Sequence, residues 1–434
     1  MNISFVEDEG NLIDRLTDFI PAAGRDSQIR STVYEILNDV RKGGNQAVLE
    51  KTLEYDRVSL SAHELLIQQE EMNNARSSLD PKESDALKDA IANVSLFHKR
   101  SYPQNWESEN LHGGLVGEHY YPIRRVGIYV PGGQVPLVST VIMTVTLAKV
   151  AGVPEIVVAT PPGTNGQVSS ELLAALDLSG VDEVYKIGGA QAIGALAYGT
   201  ETIRPVDKIF GPGNAFVNEA KRQVFGEVGI DLLPGPSEVM VIADDTARPE
   251  YVAAALLAQA EHGSGKEKIY LLFEEKNLFP QILKQIDSQI KNLSHKNEIL
   301  NVIEKGFLAI LLPERERLAE VANFIAPEHL ELQVNKNSID FYLQKITTAG
   351  AFLVGHDTPT SVGDFAAGPS HVLPTGRSSR FSSGLRLQDF LRRSSVIRYD
   401  TSSCKNASLT IDQFASMEKL DAHGHAHKIR TLST

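Results

Sequence analysis

Gln259 and His262 stand three residues apart at the end of an apolar run, Leu256-Leu257-Ala258-Gln259-Ala260-Glu261-His262-Gly263. On a helix they share a face and can grip one ion. Further on, Glu328 and His329 are neighbours inside Ala326-Pro327-Glu328-His329-Leu330. A helix would turn them about 100° apart, whereas a loop lets them converge. Pro327 before the pair and Leu330 after it favour a fixed, partly buried turn. Histidine is the side chain best placed to exchange protons near neutral pH. A metal-gripping pair and a proton-moving pair in one chain point to an enzyme rather than a scaffold.

Each pair also has a plainer reading. Gln259 and His262 fit a helix C-terminus in which His262 meets the dipole and Gly263 supplies the left-handed cap. Glu328 and His329 fit a surface pair. Glutamine donates weakly to zinc, so a site using it needs stronger partners, and Asp364 with a histidine of the tail are the candidates. The tail offers His423, His425 and His427 in Asp421-Ala422-His423-Gly424-His425-Ala426-His427. On a helix His423 and His427 share a face, and spacing does not choose between them. Cys404, the single cysteine, lies in a polar stretch with nothing to activate a thiol. Oxidation of an aldehyde here cannot rely on a thiohemiacetal.

The elements that must hold these residues change in texture along the chain. Apolar positions three or four apart predict helices over residues 29–41, 45–55 and 81–98, with little strand signal in the first hundred residues. From Arg125 short apolar runs alternate with longer amphipathic ones. Strands are predicted at 126–130, 155–160 and 183–187, and helices at 138–150, 169–178 and 191–198. After Gly235-Pro236-Ser237 the rhythm restarts, with strands at 239–243 and 269–273 around a helix at 250–261. This is the pattern of βαβ units and parallel sheets. From about Val362 glycine, serine and proline rise in a long segment of the kind that is usually functional. A helix-like stretch at 411–420 follows in the tail. The expected fold is α/β, with two tandem Rossmann-like, incomplete αβα domains, a helical N-terminal segment and a small extended and helical C-terminal tail. The corresponding boundaries are 1–100, 101–237, 238–377 and 378–434.

Glycine-rich turns follow the predicted strands at Pro131-Gly132-Gly133, Gly188-Gly189-Ala190-Gln191 and Gly211-Pro212-Gly213-Asn214. That is where ligands bind in an open α/β sheet. None completes the G-x-G-x-x-G pattern, because Phe216 stands where the third glycine belongs. Taken alone the turns are ordinary turn chemistry.

With 434 residues the chain exceeds the size of a single hydrophobic core. Its 42 basic against 55 acidic residues give a net charge of −13, which argues against nucleic acid or an anionic membrane as partner. No apolar run reaches the roughly 18 residues of a spanning helix. The acidic start lacks the apolar core of a signal peptide. A soluble, cytoplasmic protein is expected, in a reducing compartment that suits one cysteine.

The motifs taken in order resemble histidinol dehydrogenases. They are Arg125-Val126-Gly127-Ile128-Tyr129-Val130-Pro131-Gly132-Gly133, Ile187-Gly188-Gly189-Ala190-Gln191-Ala192-Ile193, Lys208-Ile209-Phe210-Gly211-Pro212-Gly213-Asn214, Gly235-Pro236-Ser237-Glu238, Gln259-Ala260-Glu261-His262, Pro327-Glu328-His329-Leu330 and Ser370-His371-Val372-Leu373-Pro374-Thr375-Gly376. The resemblance covers residues 29–427. It implies a zinc-dependent, NAD-linked, four-electron oxidation of L-histidinol to L-histidine, at the end of histidine biosynthesis. Zinc, one per subunit, would be held by Gln259, His262, Asp364 and His423. His423 is preferred because Glu418-Lys419-Leu420-Asp421-Ala422-His423 matches the family's tail in register. Ser237, His329 and Glu418 would contact the substrate together with the zinc ligands, and Tyr129, Gln191 and Asn214 would contact NAD. The resemblance also implies a homodimer in which the tail of one chain completes the other's active site. His329 would take the alcohol proton, and Glu328 would deprotonate the water that converts the aldehyde to a gem-diol. The rival readings are a dehydrogenase for another small alcohol, a metal-dependent hydrolase and a non-catalytic binding module.

Overall fold

The computed structural model describes residues 3–7, 12–20, 26–132 and 137–431, so Gly133 of the first glycine turn lies outside the described residues. The chain opens on strand β1 (Ser4–Glu7) and, after the N-terminal helices, forms β2 (Trp106–Glu109) and β3 (Leu115–Pro122). Five strands follow in the first half: β4 (Arg125–Tyr129), β5 (Glu155–Thr160), β6 (Glu183–Lys186), β7 (Lys208–Phe210) and β8 (Gly229–Ile230). Five more follow in the second half: β9 (Glu238–Ala243), β10 (Lys268–Phe273), β11 (Phe307–Leu311), β12 (His329–Gln333) and β13 (Ala351–Val354). Strand β14 (Leu391–Arg398) begins the tail.

Two parallel sheets result, ordered β6-β5-β4-β7-β8 and β1-β11-β10-β9-β12-β13. Period-2 alternation sorts each strand between two apolar layers. Ile156 and Val158 join one cluster with the helices Val138–Ala151 and Ser170–Ser179, while Val157 and Ala159 join a second with Ser27–Tyr55 and Gly189–Tyr198. The second sheet is sandwiched likewise. Val239 and Val241 pack under the helices Pro249–Ala260 and Leu278–Gln289, and Met240 and Ile242 pack under Leu12–Phe19 and Arg315–Ile325. Both expected αβα layers are therefore present.

The described residues of the N-terminal hundred are mainly helical, as expected, and include the strand β1, which pairs in parallel with β11. Four residues with one buried side chain, Val6, are too short a pattern to read as a strand. The stretch is shared between the two sheets: β1 and Leu12–Phe19 join the second, and Ser27–Tyr55, Gln69–Ser78 and Pro81–Arg100 cover the first. The two predicted helices at 29–41 and 45–55 lie within Ser27–Tyr55 and are separated, as predicted, by Gly44 in a non-helical conformation (φ 51°, ψ −131°). Beyond them, β3 pairs antiparallel with β2 and β14 in a separate small sheet. The predicted helix at 411–420 is Ser408–Glu418, flanked by Thr401–Asn406 and Asp421–Thr431. No helix among the described residues is long and apolar enough to cross a membrane.

A buried ion pair fixes the turn after β7. Lys221 Nζ donates to Asp231 Oδ1, to Gly211 O (2.8 Å) and to Leu232 O (2.7 Å), while Gly211 N donates to Asp231 Oδ2 (2.7 Å). Both side chains are essentially inaccessible. Gly211 adopts φ +104°, and a Cβ there would fall 2.1 Å from Tyr129 O, so only glycine fits. Substituting Lys221→Met leaves Asp231 buried without its partner and is expected to cost about 3–5 kcal/mol. Urea unfolding measures this, and a loss below about 1 kcal/mol would contradict the role given to the pair.

Candidate functional site

The second sheet brings its chemistry to the amino ends of its strands. Strand β12 pairs with β9 so that His329 lies opposite Val239, which sets Glu328, just ahead of β12, beside Glu238, the first residue of β9. Glu238 N donates to Glu328 Oε2 at 2.7 Å, and Ala351 N donates to Glu328 O at 2.8 Å. Glu328 and His329 are both only 6% exposed, so the reading as a surface pair is excluded. They converge, with His329 Nδ1 3.8 Å from Glu328 Oε2, as a non-helical backbone allows. On its other side His329 Nε2 lies 3.4 Å from Asp364 Oδ1. One buried imidazole is thus flanked by two carboxylates.

Electrostatics follow from that burial. Desolvation raises Glu328 to about 7, opposed by His329. Burial alone would depress His329, but Glu328 and Asp364 outweigh it and lift the imidazole to about 9. Asp364 is also desolvated, yet the hydrogen bond and charge of His329 hold it below the ordinary carboxylate range. Behind Glu328, burial first and the neighbouring carboxylate second push Glu238 up to about 8. Burial raises the Glu328 carboxyl and the flanking carboxylates raise the His329 imidazole, which suits groups that accept and return a proton.

Asp364 is placed by a device in β12. Leu330 and Leu332 face the core, while Glu331 and Gln333 alternate with them on the side of His329. Glu331 Oε1 accepts from Thr360 N (2.7 Å) and Thr360 Oγ1 (2.8 Å), tying down the first turn of the helix Thr360–Phe365 that carries Asp364. Gln333 Nε2 donates to the other oxygen of Glu331 at 3.0 Å. Neither residue was singled out from sequence. The signal was available, since polar residues at every second position are out of place in a strand buried on both faces. His371 also joins the site, with Nδ1 3.1 Å from Asp364 O. Burial depresses its pKa.

The helix Thr360–Phe365 packs against Pro249–Ala260, so Asp364 comes to the end of the helix bearing Gln259. Gln259 is buried, and its Nε2 has no hydrogen-bond partner. His262 lies past the helix end and is exposed, held by His262 N to Gln259 O at 3.4 Å, with Gly263 at φ +68°. The helix-terminus reading thus describes the backbone, and it does not account for the unpartnered amide. An amide, an imidazole and a carboxylate from one chain fit a divalent cation in part. Among the described residues no three His, Cys, Asp or Glu side chains cluster to hold a metal.

His423 and Glu418 are exposed on helices that pack chiefly on one another. His427 is buried there, with Nε2 2.9 Å from Cys404 O, so it serves the tail's own packing, whereas His423 is exposed. Leu409, Phe414 and Met417 are 75%, 55% and 67% exposed, a concentration of apolar surface on one helix. Ser237 sits half-buried immediately before Glu238, the first residue of β9.

The glycine turns of the first sheet lie at its carboxyl ends. Tyr129 closes β4, is 4% exposed, and its hydroxyl accepts from Gly189 N at 3.2 Å. Burial pushes it up to about 12. Gln191 is 1% exposed with neither amide atom partnered, an uncommon state for a buried side chain. Asn214 caps the helix Ala215–Val224 by accepting from Phe216 N and Val217 N. The unpartnered amide and the glycine turns fit a polar nucleotide.

The model of the histidinol dehydrogenase family matches residues 22–431. Among curated proteins, the histidinol dehydrogenase of Clostridium acetobutylicum is 40% identical over 404 residues, 93% of each chain. That of Geobacillus kaustophilus is 42% identical over 402 residues, 92% of this chain and 93% of the relative. The crystal structure of histidinol dehydrogenase from Elizabethkingia anophelis superposes with a TM-score of 0.93 at 33% identity, over 99% of this chain and 98% of that one. An acetylating aldehyde dehydrogenase from Geobacillus thermoglucosidasius shares the fold alone, with a TM-score of 0.51 at 14% identity over 87% of this chain and 98% of that one.

Proposed function

Because the chain belongs to the histidinol dehydrogenase family of oxidoreductases, we propose that it oxidises L-histidinol through histidinaldehyde to L-histidine, with NAD as acceptor and zinc in its site. One observation carries the chemistry: a buried His329 lies between Glu328 and Asp364 at the amino edge of the second sheet. Proton transfer in both directions is what an alcohol oxidation followed by hydration and a second oxidation requires.

In this reading His329 takes the hydroxyl proton of the alcohol as the first hydride departs. Glu328 then removes a proton from the water that adds to the aldehyde, while His329 returns its proton to the carbonyl oxygen, which completes a gem-diol and restores His329 as base. His329 takes the diol's hydroxyl proton as the second hydride departs, leaving the carboxylic acid, which ionises to the carboxylate. NAD, held by Tyr129, Gln191 and Asn214, supplies the hydride acceptor at each oxidation. Zinc, held by Gln259, His262, Asp364 and His423, supplies a template for the imidazole and amine of the substrate. Ser237 and Glu418 orient the substrate. The exposed tail, with its apolar helix face, supports a homodimer in which Glu418 and His423 complete the partner's site. Cytoplasmic residence agrees with the single cysteine.

The incomplete donor set makes metal removal the test. NADH formation with L-histidinol is expected to stop after chelation and to return on adding zinc, read at the NADH absorbance. Full activity in thoroughly chelated protein, with metal absent by elemental analysis, would overturn the zinc assignment.

A further inference from the structure

Asp56 ends the helix Ser27–Tyr55, far in sequence from any of the motifs, and its carboxylate lies over the glycine turn after β6. A Cβ at Gly188 would stand 3.3 Å from Asp56 Oδ1. Asp56 Oδ2 is buried and has no hydrogen-bond partner. Burial lifts its pKa to about 6, as expected of a carboxylate with no donor facing it. The next residue, Arg57, takes a left-handed backbone (φ 59°), strain that the fold tolerates while presenting Asp56 here.

Two further groups converge on the same turn. The Tyr129 hydroxyl accepts from Gly189 N and keeps its own proton to donate, and the Asp56 charge acts on it. Gln191, 1% exposed, has both amide atoms unpartnered, and its Oε1 lies 2.6 Å from where a Gly189 Cβ would be. A carboxylate with a free oxygen, a phenol and an amide describe a cradle for hydroxyl groups. The carboxylate repels phosphate, so the diphosphate of a dinucleotide is not what sits against it.

We propose that Asp56 accepts hydrogen bonds from the hydroxyls of the adenosine ribose of NAD and excludes the 2′-phosphate of NADP. This rests on the reading of the protein as NAD-linked. Sheet order selects which ribose. The turn follows β6, the edge strand farthest from β8, and the chain leaves β8 for Ser237 and the catalytic sheet. The ribose at β6 is therefore the one remote from the reacting carbon, where NADP carries its extra phosphate.

Calorimetric titration of NAD and of NADP into the protein without histidinol tests this directly. Asp56→Asn keeps the shape and removes the charge, and is expected to weaken NAD by about ten- to hundredfold, the loss of a charged hydrogen-bond acceptor. It should also narrow the preference for NAD over NADP by at least about tenfold. Asp56→Ser serves as the second variant should Asp56→Asn fail to fold, with the same expectation. NAD affinity within about twofold of the unaltered protein, together with an unchanged preference, overturns the inference. Failure of the unaltered protein to bind NAD at all would sink the cofactor reading first, an outcome visible before any variant is made.

Discussion

Glu328→Gln is expected to slow oxidation of histidinaldehyde by about 10²–10⁴-fold while affecting oxidation of histidinol far less. The carboxamide keeps an oxygen to accept from Glu238 N, so the amino edge of β12 stays in place. It cannot take a proton from water, and only the second oxidation needs one taken. Single-turnover assays started from each substrate separate the two halves. Equal losses in both would contradict the assignment of water to Glu328 and make it merely a support for His329.

His329→Asn is expected to slow both oxidations by about 10²–10⁴-fold, since the same imidazole takes a proton in each. The pH profile carries the distinguishing sign. His329 has its pKa raised to about 9, so below that pH it already holds a proton and accepts none. In the unaltered protein kcat/KM should therefore rise with pH toward about 9, and the residual activity of the variant should lose that limb. A variant as slow as predicted but with the limb intact would move the base to another group.

The sheets were legible because their strands are continuous apolar runs between helices of the right period. Glu155–Thr160 and Val138–Ala151 match their expected bounds to within a residue. Strands β2, β3 and β14 were not legible. Their side chains are mostly half-exposed or exposed, so no apolar alternation marks them, and pairing between residues 115–122 and 391–398 is set by the tertiary fold. In the site, Glu328 and His329 were found by type and company, but their burial came only from β9 and β13 on either side. Asp56 was invisible for a different reason: it lies against Gly188, far along the chain, and nothing in local spacing records such a contact. Glu331 carried the signal of a polar residue in a buried strand, but not its contact with Thr360.

The central claim is that one site oxidises one substrate twice. Counting NADH formed per L-histidinol consumed tests it most directly, with histidine quantified in parallel. Two NADH and one histidine per histidinol are predicted. Glu328→Gln should give one NADH at early times with histidinaldehyde in place of histidine. One NADH per histidinol in the unaltered protein, with the aldehyde as end product, would contradict the account.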